Sequence, residues 1–415
     1  MTLPRPSTLR AWAERWQGIL PIMIRICLAG TASSMLTTSV SLAVSNPAVA
    51  PWIVQTVLTA YPIGFLLGCL VTRPIVSRFG HERAFTLFTL ISGLAAFGFT
   101  LTDFMPAWFI FRLFGGLAMS ALFVVCESWI NIYAEQHNRG TLFSVYMLTT
   151  AMGVLLGQLL VALAGPHSSH LFGIATTTAL LAFLAKFVFG HWPVSPLGSS
   201  EPIAAGHTQN DEPFGLIRLF RVAPVTVVTI FQAGITNLNI FVLTPLYGAG
   251  IGLSAGTTVW LVTTISIACM AAQTPVGWLS DRFDRRVILL IQGLLSVFLC
   301  AAIAWCGKSS EPLLFLLFFA YACTALTMYP VAIAFANSQL HSHQMVAAAA
   351  TLLLLHSIGN ILTPGLAAGL MERRAPEAML LVLGAGGIFV AIAACFNLMH
   401  PSLRTAAVRG AEPWR

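Results

Sequence analysis

The chain has 415 residues, of which 57% are hydrophobic and only 8% are charged, and its mean hydropathy is +0.84. This composition excludes an ordinary soluble globular protein, in which about 25% of the residues carry charge. The net charge of +7 would suit a nucleic-acid-binding protein. The basic residues instead concentrate on one side of the predicted membrane spans. We therefore expect a lipid bilayer, and no nucleic acid, as the partner.

Twelve apolar runs are long enough to cross a membrane, because a bilayer core about 30 Å thick needs about 20 apolar residues in a helix. The runs are continuously apolar, which favours helices over the alternating pattern of a membrane β-barrel. We therefore predict an all-α integral membrane protein with twelve transmembrane helices. In chain order, the predicted spans cover residues 19–44, 52–72, 84–102, 106–133, 141–164, 171–190, 224–247, 255–278, 287–306, 312–337, 345–370 and 377–399.

Lys and Arg concentrate in every second connecting segment, which by the positive-inside rule marks the cytoplasmic side. The opposite side holds only Lys308, Arg373 and Arg374. This distribution predicts a multi-pass protein of the bacterial inner (plasma) membrane with both termini in the cytoplasm. All eight cysteines fall within predicted spans, so we expect no disulfide framework, no metal site and no cofactor.

A segment rich in Pro, Gly and Ser interrupts the apolar pattern at residues 191–223. It divides the chain into a cytoplasmic N-terminal segment (1–18), an N-terminal six-helix bundle (19–190), a cytoplasmic linker (191–223), a C-terminal six-helix bundle (224–399) and a cytoplasmic tail (400–415). A shift of 204 positions brings Arg282 onto Arg78 and Phe283 onto Phe79, each just after an even-numbered span. The match predicts two pseudo-symmetric halves, a recurrent plan of secondary transporters.

The most charged part of the second half is GWLSDRFDRR, residues 277–286. It resembles the loop signature of the major facilitator superfamily, G-x-x-x-D-R-x-G-R-R/K. Asp284 stands at the second Gly of the signature, and the matching residues are Gly277, Asp281, Arg282, Arg285 and Arg286.

The first half repeats this signature in part. Arg78 and Gly80 match it, Ser77 replaces the acid and Arg73 replaces the first Gly. We add Arg83 to this set of candidate gating residues. The resemblance implies a gate whose ion pairs form in one access state and break in another. The alternative is a charged connection that only sets the topology.

Three further stretches resemble an uncharacterised branch of bacterial facilitators, the YcaD-like proteins, for which the resemblance implies no substrate. They are SRFGHERAF (77–85), CESWIN (126–131) and MYPVAIAFAN (328–337). The family's R-x-x-x-G pattern resembles Arg112–Gly116. Its antiporter signature is present only in part, because Gln158 stands where the family has Pro.

Three ionisable residues fall inside predicted spans: Arg25, Arg112 and Glu127. Charges at membrane depth are costly unless they are paired or hydrated, so each is a functional candidate. We hypothesise that Glu127 takes up and releases the driving proton. The alternative is a permanent ion pair with Arg25, which lies at a similar depth, or with Arg78. The resemblance places Arg112 at a central cavity, where it would bind an anionic group or influence proton release; a purely structural Arg is the alternative.

Polar side chains within the spans are candidates for lining a solute cavity. Because interhelical hydrogen bonds recruit the same residue types, holding helices together is the alternative role. The candidates are Gln55, Asn131, Gln158, Asn237, Asn239, Gln273, Asn337, His356 and Asn360. Asn237 and Asn239 lie on different helix faces, so we expect at most one of them to face the solute.

The predicted function is secondary active transport of a small solute by alternating access. The prediction includes proton coupling and favours export over uptake. Enzyme signatures fail, and we expect a monomer. The alternative from another class is a membrane sensor that keeps a transporter scaffold and moves nothing.

Overall fold

The computed structural model describes residues 6–133, 139–165, 170–189, 219–220, 223–307, 309–339 and 342–399. Over these ranges the regular secondary structure is helical. The α-helices are α1 (Pro6–Val44), α2 (Pro51–Phe79), α3 (His81–Leu101), α4 (Trp108–Tyr133), α5 (Arg139–Ala164), α6 (Leu171–Phe189), α7 (Pro224–Thr236), α8 (Asn239–Gly250), α9 (Ala255–Arg282), α10 (Arg285–Cys306), α11 (Glu311–Ala325), α12 (Met328–Gln339), α13 (Ser342–Arg373) and α14 (Ala378–Met399).

Within the described ranges, eleven helical stretches are long and apolar enough to cross a membrane. Helices α7 and α8 supply a twelfth if they are counted as one span, bent by 45° at a short break. Helices α11 and α12 together form one of the eleven, which runs over Glu311–Ala336. The predicted fold class, an all-α membrane protein, is therefore confirmed.

The chain divides into two compact units. The first comprises Met1–Ser39 and Ile63–Gly206, and the second comprises Val40–Pro62 and His207–Arg415. The assignment of Val40–Pro62 to the second unit has no counterpart in the sequence-based division. The predicted linker, residues 191–223, lies almost entirely outside the described residues, as does the predicted tail.

Glycines set the closest helix contacts of the first unit. Gly64 and Gly68 of α2 pack on the backbone of α4, and Gly153 and Gly157 of α5 pack on that of α1. A Cβ at Gly153 would lie 2.7 Å from the carbonyl oxygen of Cys27. Both glycine pairs have the i, i+4 spacing that lets two helix backbones approach closely. Helix α3 packs between α4 and α6.

The second unit repeats this construction with other residues. Helix α7 packs against α13 and α14, while α10 packs against α11 and α14. Gly234 of α7 lies against the carbonyl of His356, and a Cβ at Gly359 of α13 would lie 2.6 Å from the carbonyl oxygen of Phe231. Gly234 falls 204 residues after Gly30, which packs on Gly153 in the first unit. The glycine contacts therefore support the duplication that the charged turns suggest.

Several helices differ from the predicted spans at their ends and centres. Helices α2 and α9 run to Phe79 and Arg282, so most of the predicted loop signature lies on helix ends. The predicted seventh span is broken at Asn237–Leu238, and the tenth is broken at Leu326–Thr327. No Gly or Pro lies at Asn237–Leu238. The break at Leu326–Thr327 lies just before Pro330, which has no N–H to donate to the carbonyl of Leu326.

Candidate functional site

The charged turn of the second unit joins α9 to α10 through only two residues, Phe283 and Asp284. Asp281 and Arg282 form the end of α9, and Arg285 and Arg286 open α10. Asp284 caps α10 because its Oδ1 accepts a hydrogen bond of 2.9 Å from the backbone N–H of Arg286. The residue that departs from the family signature thus has a clear local role.

Two ion pairs hold this turn together. Arg285 Nη2 lies 3.1 Å from Asp281 Oδ1, and Arg286 Nη2 lies 2.6 Å from Asp284 Oδ2. Arg286 also donates to the carbonyl of Asn397 at 3.2 Å, a group in the last turn of α14 that has no partner within its own helix. Arg285 donates to a carbonyl of α12, that of Ala334, at 3.3 Å. The two arginines therefore tie the turn to two other helices of the unit.

Some charges of the turn oppose the helix dipoles. A helix N-terminus favours acids and a C-terminus favours bases, yet Asp281 lies at the C-terminus of α9 and Arg285 and Arg286 lie at the N-terminus of α10. The ion pairs offset these unfavourable positions. When these ion pairs separate, each charge is left in an unfavourable position and the turn loses stability. A contact of this kind suits a gate that forms in one state and breaks in another. Arg282 instead suits its C-terminal position, and its guanidinium carbon lies 3.9 Å from the centroid of the exposed Trp278 ring.

Gly277 lies on α9 one turn before Asp281. A Cβ at this position would meet no atom within 4 Å. Packing within the second unit therefore gives no reason for glycine here.

The corresponding turn of the first unit has a different chemistry. Gly80 alone joins α2 to α3, with φ of 79° and ψ of 165°, a conformation that is essentially restricted to glycine. The exposed Arg78 lies in the last turn of α2, with its guanidinium carbon 5.6 Å from the ring centroid of Phe79. The exposed Arg83 lies in the first turn of α3. Gly80 is suited to the first turn because it can adopt this backbone conformation. Asp284, at the equivalent place in the second unit, contributes a carboxylate that caps α10 and pairs with Arg286.

Arg25 is directed towards α3 and α6. Its Nε donates to the carbonyl of Ala182 at 3.1 Å, and its Nη2 lies 3.3 Å from Thr86 Oγ1. The guanidinium carbon lies 4.5 Å from the ring centroid of Phe85. Arg25 is 4% exposed, so these contacts satisfy a buried cation. The predicted ion pair between Arg25 and Glu127 is wrong, because the side chain of Arg25 binds other helices.

Glu127 is partly buried on α4. Its carboxylate lies near the Cys69 thiol of α2 and the Tyr146 hydroxyl of α5. In the described part of the chain, no Arg or Lys lies within 4 Å of its carboxylate, so the alternative pair with Arg78 is also wrong. Next to it in the chain, Ser128 Oγ lies 2.9 Å from His81 Nε2, which joins two of the stretches that resemble the YcaD-like branch.

Arg112 is 2% exposed on α4 and its Nη1 donates to Thr37 Oγ1 of α1 at 3.3 Å. Both residues belong to the first unit. The contact with Thr37 is what a purely structural role of Arg112 would require. The positive charge of the guanidinium would still attract an anionic group.

Gln158 connects two helices of the first unit. Its Oε1 accepts a hydrogen bond from Thr38 at 2.8 Å, and its Nε2 donates to Ser34 Oγ at 2.7 Å. The side chain is 1% exposed. These bonds fit the helix-joining alternative for this residue rather than a cavity surface.

The other cavity candidates are scattered. Gln273 is exposed on α9, and His356 of α13 packs edge-on against Tyr329, with ring centroids 5.3 Å apart. Asn237 is partly buried at the break between α7 and α8. The side chains of Asn131 and Asn337 lie outside the described part of the structure.

A cavity of about 330 Å³ lies within the second unit. Its wall includes the polar residues Ser45, Asn46, Gln55 and Glu372. Of the nine cavity candidates, Gln55 lines it. Gln55 is half-buried beside Gly369 of α13.

Two further cavity candidates from the sequence are Asn239 and Asn360. Both are buried, at 0% and 4% exposure, and Asn239 Nδ2 lies 3.5 Å from the carbonyl oxygen of Asn360. In the sequence, both residues are recognisable only as amide side chains within apolar spans.

Two repeated helical units in a membrane protein, each with a short charged turn after its second span, define a facilitator-type transporter. The chain belongs to the Major Facilitator Superfamily, which matches residues 22–259 and again residues 225–414. It is 29% identical over 369 residues to an uncharacterised MFS-type transporter of Enterobacter sp. (strain 638), covering 88% of this chain and 92% of that protein. It is 28% identical, with the same coverage, to the uncharacterised MFS-type transporter YcaD of Salmonella heidelberg (strain SL476). The resemblance to this branch is confirmed.

Solved structures agree with this fold. The nucleoside transporter NupG gives a TM-score of 0.71 at 16% identity, covering 93% of this chain and 98% of that one. The xylose transporter XylE from E. coli gives 0.70 at 16% identity, covering 93% and 98%. The family match and this fold make the protein a multi-pass membrane transporter.

Proposed function

We propose that this protein is a monomeric, proton-coupled secondary transporter of the bacterial inner membrane, with both termini in the cytoplasm. It moves a small solute by alternating access between two states, and export is the favoured direction. The observation that carries the proposal is the paired, dipole-opposed charge arrangement of the α9–α10 turn, which suits a reversible contact.

The gating role of the turn predicts that activity and stability respond differently to substitution. Gly277 has open space around it in the second unit, so Gly277→Ala should fold normally and gain about 0.5–1 kcal/mol of helix stability. If another helix approaches Gly277 during the transport cycle, the added methyl group should slow flux. A stable variant with full flux would count against this role of Gly277.

The proton-carrying role of Glu127 rests on its partly buried position and on the absence of an Arg or Lys within 4 Å in the described residues. A carboxyl group without a fixed cationic partner can exchange a proton as its surroundings change. The role expected for Arg112, anion binding or an influence on proton release, is tested in parallel by Arg112→Ala.

The direct test is proton movement in proteoliposomes that enclose a pH-sensitive dye, recorded as a panel of metabolites and drugs is added. Glu127→Gln should abolish solute-dependent proton movement, whereas Glu82→Gln, which alters an exposed carboxylate of the same unit, should retain it. Full proton movement in Glu127→Gln would disprove the coupling role. Binding without any flux of solute would favour a membrane sensor.

A further inference from the structure

The cavity of the second unit lies where three segments of the chain meet. They are the connection between α1 and α2, which begins at Ser45, the end of α8 at Gly250, and the end of α13 at Glu372. Gly250 packs on Pro376, because a Cβ at this glycine would lie 2.5 Å from Pro376 Cγ. The length of α9, which has 28 residues and spans about 42 Å, separates this end of the unit from the charged α9–α10 turn. The cavity is therefore separate from the candidate gate.

The wall of the cavity is mostly apolar. Aliphatic side chains and prolines supply most of it, among them Val54, Leu246 and Met371. Among the described residues that line it, Glu372 alone is ionisable. A volume of about 330 Å³ lies at the lower end of the range for small-molecule sites. The cavity therefore suits a compact ligand with an apolar body.

The carboxylate of Glu372 occupies an unfavourable position. It lies one residue before the end of α13, where the helix dipole favours a base over an acid. Within the described ranges, no Lys or Arg nitrogen comes within 4 Å of it, although the exposed Arg373 and Arg374 follow in the chain. The negative charge on the cavity wall is therefore available to a cation.

The other polar groups of the wall also accept a hydrogen-bond donor. Ser45 Oγ donates its proton to the carbonyl of Leu42 at 2.7 Å, so this oxygen can only accept from a ligand. Asn46 Oδ1 accepts from the backbone N–H of Ala48 at 3.0 Å, which holds the connection in a turn. Asn46 and Gln55 add amide groups, which bind donors or acceptors. An ammonium group, with three donors and no acceptor, matches the carboxylate and the hydroxyl oxygen.

We propose that this cavity binds an organic monocation, with its ammonium group at Glu372 and a compact apolar body against Val54, Leu246 and Met371. Such a ligand touches the α1–α2 connection, α8 and α13 at once. It therefore favours the states of the protein in which these three segments stay together. The inference does not rest on the proposed transport function, because binding is measured without flux.

The test uses the full chain, purified, at neutral pH. The probes are phenethylamine, its neutral counterpart phenethyl alcohol and the anion hydrocinnamate, and binding is followed by the rise in unfolding temperature. Phenethylamine should bind most tightly and hydrocinnamate least, because the three differ mainly in the charge that meets Glu372. Amide hydrogen exchange should locate the site, since phenethylamine should slow exchange at residues 45–50 and 249–252.

Glu372→Gln tests the charge. It should weaken phenethylamine by roughly three- to tenfold, because the exposed carboxylate stays partly hydrated, and it should remove the advantage of the amine over the alcohol. The ligand-free variant should be at least as stable as the wild type, since an acid is removed from a helix C-terminus. Glu311→Gln is the matched control, because this exposed carboxylate of the same unit does not line the cavity, and it should retain the advantage of the amine.

Ala249→Leu tests the cavity itself. Ala249 is exposed and lines the cavity, so the larger side chain should occupy part of the space and weaken all three probes. Ala301→Leu, at an exposed position of α10 that does not line the cavity, should leave their binding unchanged. The inference is wrong if phenethylamine binds no better than phenethyl alcohol to the wild type, or if its advantage survives in Glu372→Gln. It is also wrong if Ala249→Leu binds the probes undiminished or if the slowed exchange lies elsewhere in the chain.

Discussion

The contact between α2 and α4 gives the sharpest test of the packing. A Cβ at Gly64 would overlap the carbonyl oxygen of Leu113 and would lie 2.8 Å from its carbon and 3.0 Å from the nitrogen of Leu117. These are backbone atoms, which cannot rotate away as a side chain can. Gly64→Ala must therefore push the two helices apart, at a cost of about 1–3 kcal/mol.

The assay is unfolding in mixed micelles with increasing SDS, followed by tryptophan fluorescence. The expected loss corresponds to a decrease of about 5- to 150-fold in the folding equilibrium constant. Gly115→Ala on α4 is the matched control, because its Cβ would meet nothing within 4 Å, and it should be neutral or gain about 0.5–1 kcal/mol. Equal stability of the two variants would refute the packing argument.

Four further variants test single contacts with the same unfolding assay. Asp284→Gly should lose about 1–3 kcal/mol, because it leaves Arg286 without its carboxylate, and a neutral result would show that the pair contributes nothing. The reciprocal Gly80→Asp should lose a similar amount, about 1–3 kcal/mol, since φ is 79°, and wild-type stability would contradict the assigned backbone strain. Gln158→Leu removes two short interhelical bonds and should cost about 1 kcal/mol, a value that an unchanged midpoint would exclude. Arg25→Lys keeps the charge but loses the planar fork that reaches α3 and α6, so its midpoint should fall; an equal midpoint would show that the charge alone suffices.

The fold class could be predicted from the sequence because a membrane-spanning helix requires a long apolar run that is easy to recognise. A run of about 20 apolar residues has few alternatives to a spanning helix, and glycines four residues apart predict close packing directly. The i, i+4 glycine pairs of α2 and α5 illustrate this, as all four lie in helix contacts. The helix break at Asn237–Leu238 escaped prediction, because it lies within apolar sequence that has neither Gly nor Pro at the break. The break at Leu326–Thr327 has a signal in the sequence, because Pro330, four residues after Leu326, has no N–H to donate to its carbonyl.

The arrangement of the buried charges could be predicted only in part. Depth along a helix follows from residue count at 1.5 Å per residue, which gave Arg25 and Glu127 similar depths. The direction in which each side chain points depends on the rotation of the helix within the bundle, and a single sequence does not determine that rotation for α1, where polar residues occur on several faces. Arg25 faces α3 and α6, so equal depth did not bring the two residues together.

The asparagines at the break show a second limit. Pattern reasoning can identify an amide inside a span but cannot distinguish a satisfied amide from an unsatisfied one. Gln158 and Asn360 look alike in sequence, and only the presence of Thr38 and Ser34 beside the first separates them.

The one-residue connection at Gly80 restricts which distances within the first unit can change. Two Cα–Cα steps span at most about 7 Å, so the ends of α2 and α3 at Phe79 and His81 stay close in every state of the protein. Spin labels or fluorophores at these ends would report nearly constant separations. Labels near Leu101, at the far end of α3, are free of this restraint and are where a change in the tilt of α3 relative to α2 would become measurable.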